Sequence, residues 1–214
     1  MSKLYFEALS NNQKQIFPRL KEFSKIGSLG GGTGLALQLG HRRSYDFDIF
    51  SQKPLPEFLA FEIKKVFGKK LKVIKDSDTE FTFITQNKVK ITFFHYPFPP
   101  LFKIIRTLPV SLFHFRDIAS DKVYTIGRRG TYRDYVDLFF LFKEKYLTLN
   151  ELINNTEKKF NGLFSEKLFL EQLIYLKDIE DFSVEFLREK YKPEEIKEFF
   201  EKIIKQYTKA KIKR

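Results

Sequence analysis

The chain has 214 residues, 43% of them hydrophobic, so it can bury a core and is not expected to be disordered as a whole. It contains no cysteine, which excludes a disulfide framework and a thiolate metal site. Basic residues outnumber acidic ones by 39 to 27, and the net charge of +12 favours polyanionic partners such as nucleotides, RNA or an acidic protein. A solvated, lysine-rich surface explains part of that excess.

The first fifteen residues carry charges and amides where a signal peptide needs an apolar run. No segment approaches the roughly 20 apolar residues of a membrane span. We therefore expect a cytoplasmic protein that does not enter a membrane. Its length suits one compact domain, or a small catalytic domain with a helical appendage.

Hydrophobic periodicity and the positions of glycine and proline predict helices and strands together in the first part of the chain. Apolar residues alternate with others in two segments that are joined by the short turn Gln86-Asn87, which is the pattern of a β-hairpin. The predicted elements are a helical segment Leu4–Phe23 interrupted at Pro18, a short strand in Ser24–Leu29, a helix Thr33–Leu39 ended by Gly40, a strand Tyr45–Phe50, a helix Glu57–Phe67, and the hairpin strands Glu80–Thr85 and Lys88–His95.

The predicted elements that follow are helical, and no strand signal occurs from Thr148 onward. We therefore place a boundary near Tyr146, between a mixed domain of residues 1–146 and a helical domain of residues 147–214. The predicted helices are Asp117–Ile126, Thr131–Tyr146, Ser165–Lys177 and an amphipathic helix that starts at Pro193.

Three glycines, Gly30 to Gly32, precede the predicted helix Thr33–Leu39. Glycines allow the backbone to approach a triphosphate closely, and the N–H groups of a helix N-terminus point at an anion. The hydroxyl of Thr33 adds a possible donor. A triple glycine is by itself typical of a tight turn, so this segment indicates a phosphate site only in combination with other features.

Asp46 and Asp48 lie two residues apart on a predicted strand, so both carboxylates leave the same face. Mg²⁺ prefers one or two protein carboxylates, with substrate phosphate and water as the remaining ligands. A DxD pair alone is common on a solvent-facing strand. The elements follow in the order strand, glycines, short helix and DxD-bearing strand. This order brings the glycine segment and the aspartate pair to the same end of a sheet.

Gly32-Thr33 followed by Asp46-Phe47-Asp48-Ile49 resembles the glycine and Asp-x-Asp pattern of polymerase-β-type nucleotidyltransferases. More narrowly, the segment GGTGLALQLGHRRSYDFDIF is similar to the GGTALAL…GHR-S-D-D signature of the AbiEii/AbiGii toxin family. Two later segments, Asp117–Lys122 and Arg133–Leu138, are similar to the lysine and R-D-x-x-D-L blocks of that family and occur in the same order.

The resemblance implies an α+β, polymerase-β-like fold with a mixed twisted sheet, followed by a C-terminal helical bundle. It further implies metal-dependent transfer of NMP from an NTP to a hydroxyl acceptor, tRNA or protein, by the toxin of a toxin–antitoxin or abortive-infection system with a cognate antitoxin. The implied roles are Mg²⁺ or Mn²⁺ binding by Asp46 and Asp48, nucleotide binding by Gly31, Gly32, Thr33, Arg42 and Lys122, and a catalytic role for Lys122, Asp134 and Asp137.

Several of these residues have a competing structural explanation. Arg42 could meet a phosphate or the base, or could pair with Asp46 or Asp48. Asp134 has the spacing of a capping box with Thr131, which would fix its side chain at the start of a helix. Lys122 could be an ordinary surface lysine.

One feature departs from many polymerase-β relatives, which place a third carboxylate on a later strand facing the first two. The corresponding face of Lys88–His95 offers Thr92 instead, while Glu80 or Asp78 could approach from the neighbouring strand. Either Asp134 takes that role, or metal and water deprotonate the acceptor. The alternatives are a small-molecule nucleotidyltransferase, or a non-catalytic nucleotide- or RNA-binding regulator that kept the fold.

Overall fold

The computed structural model describes residues 3–212, apart from the side chain of Arg129. Within these residues the chain forms two compact units, one ending at Phe115 and the other beginning at Arg116. The first unit holds a five-stranded sheet and the second is built of helices. The fold is thus α+β, as the sequence predicts. The described residues include no helix that is both long and apolar enough to cross a membrane.

The strands of the first unit lie in the order β1-β2-β5-β4-β3. Strands β2 and β5 run parallel, and the other neighbours are antiparallel, so the sheet is mixed. Its elements are 3-10 helices Phe6–Ala8 and Phe17–Phe23, helices α1 (Asn11–Ile16), α2 (Gly31–Leu39) and α3 (Leu59–Phe67), and strands β1 (Ser28–Leu29), β2 (Asp46–Ser51), β3 (Lys72–Ser77), β4 (Glu80–Ile84) and β5 (Lys90–His95).

Side chains alternate across this sheet and give its two faces different characters. Phe47 and Ile49 of β2 are fully buried, and they share a core with Leu59, Ile63 and Phe67 of α3. The intervening positions of β2 are Asp46, Asp48 and Phe50, which are partly exposed. The helices thus cover one face of the sheet, and the carboxylates lie on the other.

The predicted hairpin is confirmed, because β4 and β5 pair antiparallel. The strand β3 has no counterpart among the predicted elements, since all six of its residues are exposed at the sheet edge and it lacks a buried face. The predicted helical segment Leu4–Phe23 is divided into three short pieces. Pro18 lies at the start of the last piece, where its missing N–H costs no hydrogen bond.

Five helices form most of the second unit: α4 (Phe115–Arg129, whose first residue closes the first unit), α5 (Tyr132–Lys143), α6 (Leu149–Phe160), α7 (Glu166–Leu173) and α8 (Pro193–Ile212). Aromatic side chains join α5 to the last helix, since the rings of Phe139 and Phe199 lie 5.0 Å apart. The boundary expected near Tyr146 therefore falls inside this unit, because α5 packs with the helices that follow it. The functional extent of the two domains stays a prediction.

Candidate active site

The turn at Gly31 brings the start of α2 against the second aspartate of β2. Gly31 has φ of 58°, a conformation that side chains rarely adopt, and a Cβ there would lie 2.3 Å from Asp48 Oδ2. The N–H of Gly30 donates to the Asp48 carbonyl oxygen at 2.9 Å. A glycine is therefore required at position 31, because any side chain would displace the Asp48 carboxylate.

Arg42 lies beside the same turn. A Cβ at Gly32 would lie 2.8 Å from Arg42 Nη2, so the guanidinium fills the space that this glycine leaves. The side chain is only 2% exposed, and its Nη1 donates to the Arg43 carbonyl oxygen at 2.8 Å. The structure thus places a fixed positive charge next to the glycine turn. Its predicted contact with a nucleotide stays a prediction.

Thr33 connects the start of α2 to the first aspartate. Its hydroxyl donates to the backbone carbonyl of Asp46 and lies 2.8 Å from Ser44 Oγ. Thr33 is 1% exposed, so the hydroxyl already has partners inside the protein. Contact with a phosphate would require these partners to be exchanged. Ser44, which no sequence pattern indicated, is part of this network.

Asp46 and Asp48 both lie on the face of the sheet that the core helices leave uncovered. Asp46 Oδ2 lies 2.8 Å from Nζ of Lys90, its register partner on β5, and both side chains are more than a third exposed. Two hard carboxylates on one strand face match the donor set of Mg²⁺ bound together with a substrate phosphate. Among residues 3–212 no group of three or more His, Cys, Asp or Glu side chains could hold a metal, so these two would depend on that phosphate.

Thr92 lies beside Asp48 on β5, at the strand position where the sequence has a threonine in place of a third carboxylate. Its hydroxyl lies 3.3 Å from that of Thr82, and Thr82 donates to Glu80 Oε1 at 2.8 Å. Nζ of Lys75 lies 2.7 Å from Glu80 Oε2. Glu80 is therefore connected to Thr92 across β4 and β5, on the same face as the aspartates. Asp78, by contrast, lies exposed in the turn that precedes β4.

The lysine of the second block is buried between two aspartates. Lys122 Nζ lies 2.8 Å from Asp134 Oδ1 and 2.5 Å from Asp137 Oδ2. Lys122 is 6% exposed and Asp137 is fully buried. The structure thus brings together Lys122, Asp134 and Asp137, the three residues that the resemblance singles out in this part of the chain. Lys122 is not an ordinary surface lysine.

The two carboxylate oxygens of Asp134 make different contacts. Oδ2 accepts hydrogen bonds from the N–H and hydroxyl of Thr131 at 2.9 and 3.0 Å, which caps α5. Oδ1 accepts from Lys122. Burial by itself raises the pKa of Asp134, but the attraction and hydrogen bond of Lys122 and the Thr131 N–H outweigh it, so the pKa is lowered.

A second buried lysine was not anticipated. Lys159 Nζ lies 2.7 Å from Asp121 and 3.2 Å from Asp117, and the side chains of Lys159 and Asp117 are fully buried. Lys159 occupies the apolar stripe of α6 together with Leu152 and Phe160. A lysine at such a position signals a buried ion pair, and its partners lie in the same block as Lys122.

Comparison with protein families agrees with this arrangement of blocks. Residues 20–212 match the model of the family described as nucleotidyl transferase AbiEii toxin, type IV toxin–antitoxin system. The match covers both units, including the glycine turn, the aspartates and the Lys122 cluster. The chain belongs to the AbiEii nucleotidyltransferase family.

An uncharacterised protein of Aquifex aeolicus is 32% identical over 184 residues, which cover 84% of this chain and 86% of the relative. Two crystal structures from Helicobacter pylori share the fold. One, of a candidate nucleotidyltransferase, has a TM-score of 0.56 at 20% identity. The other, of JHP933, has a TM-score of 0.52 at 17% identity. In both cases the similarity covers 94% of this chain and 96% of the other.

Proposed function

We propose that this AbiEii-family nucleotidyltransferase transfers NMP from an NTP to a hydroxyl acceptor, with release of pyrophosphate. The observation that carries the proposal is the contact between Gly31 and Asp48, where an absent Cβ lets the carboxylate approach the start of α2. A helix N-terminus attracts phosphate and a carboxylate pair attracts a divalent cation. Both features therefore serve one ligand, a metal-bound triphosphate.

Asp46 and Asp48 would hold Mg²⁺ or Mn²⁺, which polarises the phosphate under attack and offsets the charge of the leaving pyrophosphate. The missing Cβ at Gly31 lets the Asp48 carboxylate approach the N-terminus of α2, so phosphate oxygens bound to the metal would lie near the N–H groups of that helix. Arg42 adds a fixed positive charge behind the turn, which stabilises the bound anion without itself being moved.

For Lys122 we propose the triphosphate-binding role that the family resemblance implies. Asp134 and Asp137 hold its ammonium group in place, so less side-chain entropy is lost when it meets an anion. Either aspartate would orient the acceptor or accept its proton. The hydrogen-bonded path from Thr92 to Glu80 makes Glu80 a further candidate for that proton.

The biological role follows from the family, whose description names a type IV toxin–antitoxin system. We propose that the chain acts as the toxin beside a cognate antitoxin and modifies tRNA or a protein. The net charge of +12 favours an RNA acceptor over an acidic small molecule, because it attracts a polyanion along its length.

The test is incubation of the protein with each labelled NTP, Mg²⁺ and either total RNA or total protein. We expect label to enter one acceptor class with the unaltered chain and to be lost in Asp46→Ala and Asp48→Ala, which remove metal ligands from a partly exposed face and leave the core intact. Asp76→Ala, at an exposed aspartate of β3, is the matched control. Unchanged transfer by either aspartate variant would contradict the mechanism.

A further inference from the structure

The outer side of α3 exposes two phenylalanines that no core requires. Phe58, which precedes the first residue of α3, is 62% exposed, and Phe61 is 68% exposed. The helix buries Leu59, Ile63 and Phe67 on its other side. Exposed aromatic rings in close succession are unfavourable in water and commonly mark a contact surface.

Lysines lie beside the second of these rings. Phe61 lines a cavity of about 530 Å³ together with Lys64, Lys65 and Lys69. Two further lysines, Lys70 and Lys72, follow immediately in the chain. Glu57 and Glu62 are the only acidic residues between positions 57 and 72. Glu62 is partly neutralised, since its Oε2 lies 3.6 Å from Lys65 Nζ.

We propose that this surface, formed by Phe58, Phe61, Lys64, Lys65 and Lys69, binds single-stranded RNA. Bases of any sequence stack on aromatic rings, and ammonium groups contact the phosphates between them. The cavity combines both chemistries, since Phe61, Lys64 and Lys65 lie within about one turn of α3 and Lys69 follows its end. An acidic protein would use the lysines without needing the rings, and a second copy of the chain would be repelled by the same positive charge.

The surface lies on the opposite side of the sheet from Asp46 and Asp48. The buried side of α3 packs on the sheet face that carries Phe47 and Phe83, and the rings of Phe67 and Phe83 lie 5.6 Å apart. Asp46 and Asp48 point to the opposite face of that sheet. RNA bound along α3 would therefore lie on the opposite side of the sheet from Asp46 and Asp48. Its binding can be measured with a variant that no longer transfers NMP.

The experiment measures binding of a fluorescent, unstructured RNA of about 12 nucleotides to the full chain as salt is varied. In Phe58→Leu/Phe61→Leu the apolar volume is retained and the stacking is lost, so we expect binding to weaken by about tenfold or more. Phe58→Tyr/Phe61→Tyr should bind like the unaltered chain. In Lys64→Ala/Lys65→Ala the salt slope should fall by about 1.4, because each phosphate contact on a single strand contributes about 0.7.

Lys205→Ala/Lys209→Ala removes two exposed lysines from α8 and is the matched control for charge. Asp46→Ala should bind RNA normally, which separates this surface from the transfer reaction. Unchanged binding by the leucine variant would overturn the proposal, as would equal losses in the α8 control. Tighter binding of polyglutamate or of duplex RNA than of the single strand would also overturn it.

Discussion

The two groups of charged residues that the family resemblance singles out differ in their electrostatic surroundings. In the first unit, Asp46 and Asp48 lie on a partly exposed face, and the missing Cβ at Gly31 lets Asp48 approach the start of α2. In the second unit, Lys122 is enclosed by Asp134 and Asp137 and buried with them. A partly exposed carboxylate face can accept a further cation from solvent, whereas the buried lysine already has two carboxylates within 2.8 Å of its ammonium group. The first arrangement is suited to recruiting a ligand and the second to holding a charge at a fixed point.

The largest effect expected on the open site comes from Gly31→Ala. The new Cβ would lie 2.3 Å from Asp48 Oδ2, and the residue would also have to keep a positive φ. We expect NMP transfer to fall at least a hundredfold, because a shift of about 1 Å in a positioned group can cost that much. The measurement is the rate of label transfer from NTP at saturating Mg²⁺.

Gly162→Ala is the control for backbone strain. Gly162 also has a positive φ, of 81°, but no atom lies within 4 Å of its added Cβ. Its substitution should cost about 1 kcal/mol of stability and leave transfer unchanged. Equal losses of transfer in both variants would show that strain, and not displacement of Asp48, is responsible.

The next effect concerns the stability of the buried cluster. Lys122→Ala would leave the fully buried Asp137 without its close cation, and breaking a buried pair costs about 3–5 kcal/mol. Lys90→Ala removes the partner of the partly exposed Asp46 and should cost at most about 1 kcal/mol. Urea denaturation of both variants measures the two costs. A similarly small loss of unfolding free energy in both variants would contradict the difference between the buried Lys122 cluster and the exposed Lys90–Asp46 pair.

The smallest effect is a dependence of stability on pH. The pKa of Asp134 is lowered in the folded chain, so its ionised form contributes stability that is fully present above the unfolded pKa of about 3.9. That contribution is lost as pH falls through the lower, folded pKa. The free energy of unfolding should therefore exceed that of Asp134→Asn by a constant amount near neutral pH, and the difference should shrink below about pH 4. If the difference in unfolding free energy between the two chains grew as the pH falls, the pKa of Asp134 would be raised and not lowered in the folded chain.

Much of the fold was predictable wherever a local pattern had a single physical meaning. Apolar residues alternate with polar ones in β2 and in the hairpin strands because one face of each strand is buried. The start of a helix after the glycines could likewise be predicted from the local sequence alone. Strand β3 could not be predicted in this way, since both of its faces are exposed and only pairing with β4 makes it a strand. The burial of Lys159 was not predicted because the sequence pattern indicated no helix at α6, and packing alone brings Asp117 and Asp121 to this lysine.

The glycines, the two aspartates and the order of the later blocks are properties of the sequence. By themselves they determined the family, and they predict the site residues. Their relations were decided by the tertiary structure. In the folded chain Gly31 lies against Asp48, and the Thr33 hydroxyl donates to the backbone carbonyl of Asp46. Asp134 both caps α5 and binds Lys122. The reason is that periodicity along a chain fixes the face on which a residue lies, whereas distances between faces arise only when separate elements pack.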